Sequence, residues 1–125
     1  MLKVLVPFAD VDSGERVIRE LLKEGPSPEL EVELLAVVEL VHFDNGRALS
    51  RDLAEQASRA TATCWLARLG PMLDAAHIPH RSCIAVGQPA AEIEAAVRRT
   101  DVDRVVLTAA APRWPAVQRP ITLVE

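Results

Sequence analysis

Residues 81–115 read RSCIAVGQPAAEIEAAVRRTDVDRVVLTAAAPRWP. The segment begins as a strand, turns at Gly87-Gln88-Pro89 into a short helix, and continues as a strongly apolar strand over Arg104–Thr108. A strand, a helix and a strand in succession predict a parallel crossover. The loop after the second strand, residues 109–115, contains no glycine. In a doubly wound α/β fold, ligands bind beside such loops, so the segment indicates a nucleotide-binding scaffold without its usual phosphate grip.

The rest of the chain continues this alternation. We predict strands over Leu2–Phe8, Glu31–Leu40, His80–Val86, Arg104–Thr108 and Ile121–Val124, with helices starting near Asp12, Arg51 and Pro89. This order predicts an open, doubly wound, mostly parallel five-stranded α/β sheet with helices on both faces. A length of 125 residues suits a single domain, residues 1–125. Eleven residues separate Thr108 from Pro120, and a parallel crossover usually needs about a dozen or more. A fourth helix is therefore expected to be shortened or absent, and the pairing of the last strand stays open.

The first two helices carry local signals. Asp12, with Glu15 three residues on, fits an N-cap and its reciprocal partner. In the second helix, Gly70-Pro71 should kink the helix or open a short break. One stripe of that helix is expected to lie against the sheet, with three leucines beside it. The stripe is Leu53, Ala57, Ala60, Cys64 and Ala67, and the leucines are Leu66, Leu69 and Leu73. Cys64 and Cys83 are expected to be small buried thiols of a reducing compartment.

The composition excludes several classes of protein. The net charge is −4 and no block of Lys and Arg occurs, which argues against nucleic-acid binding. No apolar run approaches the ~20 residues that a membrane span needs. The N-terminus is a poor signal peptide, because Pro7 and Asp10 interrupt its apolar run. We therefore expect a cytoplasmic protein that binds neither nucleic acid nor membrane.

Four local patterns resemble those of the universal stress protein family. They are a first strand closing on Pro7, an alternating strand closing on Gly-x-Pro and a helix, an Asp-led apolar strand, and a last strand set up by proline. In this sequence they are Val4–Pro7, Val86–Ile93, Asp101–Leu107 and Pro120–Val124. Each pattern is weak alone, but their order and spacing extend over nearly the whole chain.

The resemblance implies further expectations. The family sheet has strand order 3-2-1-4-5, and the family usually dimerises, often through the last strands. Homodimerisation would then use Ile121, Thr122, Leu123 and Val124. Many members bind ATP between the first and fourth strands, where ligands lie in open α/β sheets. By position, that crevice would be lined by Pro7, Ala9, Asp10, Val38, Thr108 and Ala109.

The sequence departs from the family in its phosphate loop. ATP-binding members carry Gly-x-x-Gly, nine residues, then Gly-Ser or Gly-Thr, whose amides turn toward phosphate oxygens. Here three alanines, residues 109–111, resist the left-handed conformations of such a nest at roughly 1–2 kcal/mol each. Pro112 and Pro115 remove two N–H donors. No cofactor is therefore expected, with ATP or another adenine nucleotide as the alternative.

Other chemistry is sparse. His77, His80 and Cys83 are three residues apart, but a helix end and a strand separate them, and a fourth zinc ligand is missing. No nucleophile elbow, Walker loop or Rossmann fingerprint is present. Asp10 is either a contact for a base or sugar or a helix-start residue. We expect no catalytic residue and no metal.

Two functions remain. The first is a non-enzymatic, universal-stress-protein-like domain that does not bind ATP and acts by homodimerisation or through a protein partner in a stress response. The alternative is a small adenine-nucleotide sensor that uses the crevice between the first and fourth strands.

Overall fold

The computed structural model describes residues 2–23, 29–39, 51–108 and 120–124. The strands are β1 (Leu2–Phe8), β2 (Leu30–Val38), β3 (His80–Val86), β4 (Arg104–Thr108) and β5 (Ile121–Val124). The helices are α1 (Val11–Lys23), α2 (Arg51–Ala75) and α3 (Pro89–Thr100). The glycine-free loop, and with it any fourth helix, lies outside the described residues.

The five strands form one parallel sheet in the order β3-β2-β1-β4-β5. The predicted fold class and strand order are confirmed. The chain moves from β1 to β2 and β3 on one side, then returns to β4 and β5 on the other. The order therefore reverses between β1 and β4, which is where open α/β sheets form a crevice at the carboxyl ends of their strands.

Alternating side chains of the strands divide the core into two layers. In β1, Val4, Val6 and Phe8 face α1 and α2, whereas Leu5 faces α3. The α1–α2 layer consists of Val4, Val6, Phe8, Val17, Ile18, Leu30, Val32, Leu34, Ala36, Ala62, Leu69, Leu73, Ile78 and Val106. The α3 layer consists of Leu5, Leu35, Val37, Ile93, Ala96, Val97, Val102, Val105 and Leu107. Strands buried on both faces explain the consecutive apolar residues of the sequence.

Close packing and one charged cluster join α1 to α2. A Cβ added at Gly14 would lie 2.6 Å from Leu69 Cδ1 and 3.3 Å from the Phe8 ring, so the glycine permits the close approach of the two helices. One residue on, the carboxylate of Glu15 accepts from Arg68 Nε at 2.6 Å and from Arg19 at 3.3 Å. The buried acid is thus satisfied by two cations.

The predicted core stripe of α2 is wrong, although the three leucines predicted beside it do pack on the core. Leu53 is 54% exposed, and Ala57, Ala60, Cys64 and Ala67 are exposed as well. The opposite face supplies the core through Ala62, Leu69 and Leu73, joined by the half-buried Trp65 and Leu66. The face that carries Leu66, Leu69, Leu73 and Trp65 is buried because together these side chains remove more apolar area from water than the alanine face would.

Other predictions for this region are also corrected. Cys64 is exposed and Cys83 is half-buried, so neither is the fully buried thiol expected. The helix continues through Pro71, so the short break does not occur, whereas the kink stays a prediction. Although α2 has 25 residues, no helix in the described ranges is long and apolar enough to cross a membrane.

Candidate functional site

A crevice of about 960 Å³ opens at the carboxyl ends of β1, β2 and β4, beside the N-terminus of α3. It lies at the reversal of strand order, where such folds bind ligands. Its size falls within the roughly 300–1,000 Å³ of small-molecule sites. The crevice is lined by Pro7, Phe8, Ala9, Asp10, Ser13, Val37, Glu39, Gln88, Pro89, Ala90, Ala91, Ile93, Leu107 and Thr108.

Asp10 begins α1 at the mouth of the crevice. Its Oδ1 accepts a hydrogen bond from the backbone N–H of Ser13 at 2.8 Å, and its Oδ2 accepts from the Ser13 hydroxyl at 3.0 Å. These bonds make Asp10 the N-cap. The predicted cap at Asp12 is therefore wrong, since that residue lies within the first turn of α1. A carboxylate offers about four acceptor positions, so the exposed Asp10 can still accept from a ligand.

The turn into α3 forms the opposite wall. The Gly87 N–H donates to the Val38 carbonyl at 3.0 Å, which fixes the turn to the end of β2. Gln88 is the N-cap of α3, but its side chain makes no capping hydrogen bond. Its amide is exposed and can donate to and accept from a ligand. The amides of Ala90 and Ala91 lie in the first helical turn, where N–H groups have no intrahelical partner.

The charge of the crevice is negative among the described residues that line it. Asp10 and Glu39 each contribute a carboxylate, and none of these lining residues is Lys or Arg. The capped N-terminus of α1 already has a carboxylate against its dipole, which reduces its attraction for a further anion. The other described residues that line the crevice are apolar or neutral.

The structure brings together four of the six predicted crevice residues. Pro7, Ala9, Asp10 and Thr108 line the crevice. Val38 packs instead on the α1–α2 layer, because its neighbour Val37 takes the α3 side of β2. The sixth residue, Ala109, lies outside the described residues. The α3 wall was missed, although the Gly-x-Pro motif before a helix was a signal for it.

The predicted interface residues form β5 at the edge of the sheet, paired with β4 from Val105↔Ile121 to Thr108↔Val124. Ile121 and Thr122 are half-buried, and the Thr122 hydroxyl accepts from Arg104 at 3.2 Å. The sequence left the pairing of β5 open. In the structure β5 pairs with β4 in parallel.

The histidines and cysteine considered for a metal are separated. His80 Nε2 lies 2.8 Å from Asp74 Oδ1, and Arg99 donates to Cys83 Sγ at 3.8 Å. His77 is in the turn that follows α2, with a left-handed backbone. In the described part of the chain, no three His, Cys, Asp or Glu side chains form a group that could hold a metal.

Comparison with solved structures finds the same fold in universal stress proteins. The UspA protein of Lactobacillus plantarum is 16% identical, with a TM-score of 0.73 over 99% of this chain and 97% of that chain. An AMP-bound family protein of Arabidopsis thaliana is 18% identical, with a TM-score of 0.72 over 99% and 91%. The Archaeoglobus fulgidus protein in complex with dAMP is 15% identical, with a TM-score of 0.68 over 100% and 98%.

Comparison of the sequence with protein-family models and with curated proteins finds no match. The structural likeness therefore establishes the fold, which is that of universal stress proteins.

Proposed function

We propose that this chain is a non-enzymatic binding domain that holds an adenine nucleoside or nucleoside monophosphate in the crevice, without a grip for a triphosphate. The observation that carries the proposal is the crevice itself. It has a volume of about 960 Å³, apolar walls and a few polar groups at its rim, the combination typical of small-molecule sites.

The comparisons support this choice of ligand. The Arabidopsis protein of the same fold holds AMP, and the Archaeoglobus protein holds dAMP. In this chain, Pro89, Ala90 and Ala91 offer an accessible apolar surface for a base. The Gln88 amide can hydrogen-bond the edge of the base, and the remaining lone pairs of Asp10 can accept from ribose hydroxyls.

Charge and sequence both disfavour a triphosphate. Asp10 and Glu39 repel phosphate groups, and the repulsion increases with each added charge. The sequence of residues 109–115 has two prolines, which carry no N–H, and no glycine, the residue that most readily adopts the left-handed conformations of an anion-binding nest. A nucleoside or its monophosphate meets less repulsion from the two carboxylates and does not need a loop that wraps around three phosphates.

Nuclear magnetic resonance titration with adenosine and AMP tests the site. We expect saturable shifts of the amides of Asp10, Gln88 and Thr108, and their loss in Ala91→Trp, which fills the open crevice. Ala67→Trp on the exposed face of α2 is the matched control. Absence of saturable shifts with either ligand would contradict the proposal.

Removing a crevice charge sharpens the test. Glu39→Gln should strengthen AMP binding by up to about fivefold, the effect of roughly 1 kcal/mol for a nearby charge in water. Adenosine, which is uncharged, should bind almost unchanged. Glu31→Gln, at the opposite end of β2, is the control and should alter neither affinity. An equal gain for adenosine and AMP would show that charge does not select the ligand.

A second candidate function is homodimerisation or binding of a protein partner in a cytoplasmic stress response. The supporting observation is β5, an apolar edge strand that pairs on one side with β4. Exposed edges of this kind invite pairing unless they are covered. Sedimentation of the wild type and of Leu123→Lys tests it, since a dimer through β5 should dissociate in the variant. A monomeric wild type would exclude the homodimer.

A further inference from the structure

A second, smaller groove lies at the opposite end of the sheet from the crevice. It has a volume of about 190 Å³ and opens between the first residues of β1, β2 and β3 and the last turn of α3. We name it the charged groove. It is lined by Lys3, Glu31, Glu33, Arg81, Arg99, Thr100 and Val102. Five of these seven residues are charged, and they come from four different elements.

The charges of the groove alternate across the sheet. Lys3 of β1 is in register with Glu31 of β2, and Glu33 of β2 is in register with Arg81 of β3. Side chains on neighbouring strands at the same register are close enough to pair. Nevertheless, the ion pairs among the described residues all lie elsewhere, and none joins two side chains of the groove.

The carboxylates of the charged groove differ from the buried carboxylate of Glu15 in their ion pairs. Glu15 has two arginines within 3.3 Å. Glu31 and Glu33 are half-buried, have three cations around the same groove, and contact none of them. The Arg99 guanidinium donates instead to Cys83 Sγ at 3.8 Å. Two carboxylates and three cations thus face one cavity across a gap.

We propose that the charged groove binds a free α-amino acid. The ammonium group would lie against Glu31 and Glu33, and the carboxylate against the cations of Lys3, Arg81 and Arg99. Both contacts are charge-assisted hydrogen bonds, the strongest class in proteins. A volume of about 190 Å³ equals about six water molecules at ~30 Å³ each, which suits a small amino acid.

Charge complementarity selects this class of ligand. A polyanion would meet the two carboxylates, and a polycation would meet the three cationic side chains, so each would leave like charges close together. A zwitterion satisfies both sets. In a free α-amino acid the ammonium and the carboxylate are bonded to the same carbon. Each end of a peptide carries only one of these two groups.

Titration of the isotope-labelled protein with L-alanine and L-glutamine tests the proposal. We expect saturable shifts of the amides of Glu33, Arg81 and Thr100, with the crevice amides unchanged. N-acetyl-L-glutamine lacks the ammonium and L-alanine amide lacks the carboxylate, so each should bind at least about tenfold more weakly, the effect of one lost charge-assisted hydrogen bond.

Two variants and a control locate the site. Glu33→Gln and Arg81→Gln should each weaken binding about tenfold. Arg98→Gln is the control, because Arg98 is exposed beside Arg99 on α3 but does not line the groove. Unchanged thermal melting would show that the variants are folded. The proposal is overturned if neither amino acid gives saturable shifts, if the blocked derivatives bind equally well, or if Arg98→Gln weakens binding as much as Arg81→Gln.

Discussion

The two ends of one parallel sheet present different chemistry. The carboxyl end opens into a crevice of about 960 Å³ with apolar walls and two carboxylates among its described lining. The amino end forms a groove of about 190 Å³ lined mostly by charged side chains of both signs. Between the two ends, α3 packs its apolar residues Ile93, Ala96 and Val97 over the middle of the sheet, so the two sets of lining residues are separated by buried core.

The largest expected effect comes from the layer that separates the two ends. Leu5 is fully buried between β1 and α3. Leu5→Ala should lower the free energy of unfolding by about 2–5 kcal/mol, through lost burial and the cavity left behind. Chemical denaturation measures the change, and Leu53→Ala, at an exposed position of α2, should stay within about 0.5 kcal/mol. A small effect at Leu5 would mean that the core is not packed as described.

Removing the charge of Glu15 should have an intermediate effect on stability, and removing that of Glu33 should have little. Glu15→Gln removes a charge held by Arg19 and Arg68, and should cost roughly 1–2 kcal/mol, reduced because both arginines are largely exposed. Glu33→Gln removes a charge that no cation contacts, and should change stability by less than about 0.5 kcal/mol. Equal losses in denaturation experiments would contradict the distinction between the satisfied acid and the open groove.

Removing the helix cap at Asp10, at the mouth of the crevice, should have a smaller effect on stability than the changes at Leu5 and Glu15. Asp10→Ala should cost about 1 kcal/mol, because the Ser13 amide loses its acceptor. Asp10→Asn keeps an acceptor at this position and should be close to wild type. Thermal unfolding of the pair, beside Asp12→Ala as the control, measures the difference. If Asp12→Ala were the costlier variant, α1 would be capped as the sequence first indicated.

The sequence predicted the architecture well because two-sided burial of the strands makes them almost continuously apolar. The same feature prevents the sequence from showing on which face of the sheet each strand residue lies. Val37 and Val38 are equally apolar, so the pattern could not show which one faces the crevice. Likewise, α2 is apolar on opposite faces. Periodicity placed Ala60 and Ala67 in the core together with Leu69 and Leu73, but only the two leucines are buried.

The candidate sites depend on contacts that local patterns do not contain. Asp10 and Asp12 both precede or begin a helical run, and Ser13 decides between them by donating twice to Asp10. The charged groove joins side chains up to 99 positions apart, from Lys3 to Val102, through strand register and the placement of α3. Such long-range neighbours follow from the assembled sheet rather than from spacing along the chain.

Calorimetric titration of AMP and of ATP in Mg²⁺-free buffer tests the central claim most directly, since the two ligands share base and ribose and differ in phosphate charge. We predict that AMP binds and that ATP binds more weakly, because Asp10 and Glu39 line the crevice and the loop after β4 has no glycine. Tighter binding of ATP than of AMP would show that a phosphate grip exists and would contradict the account.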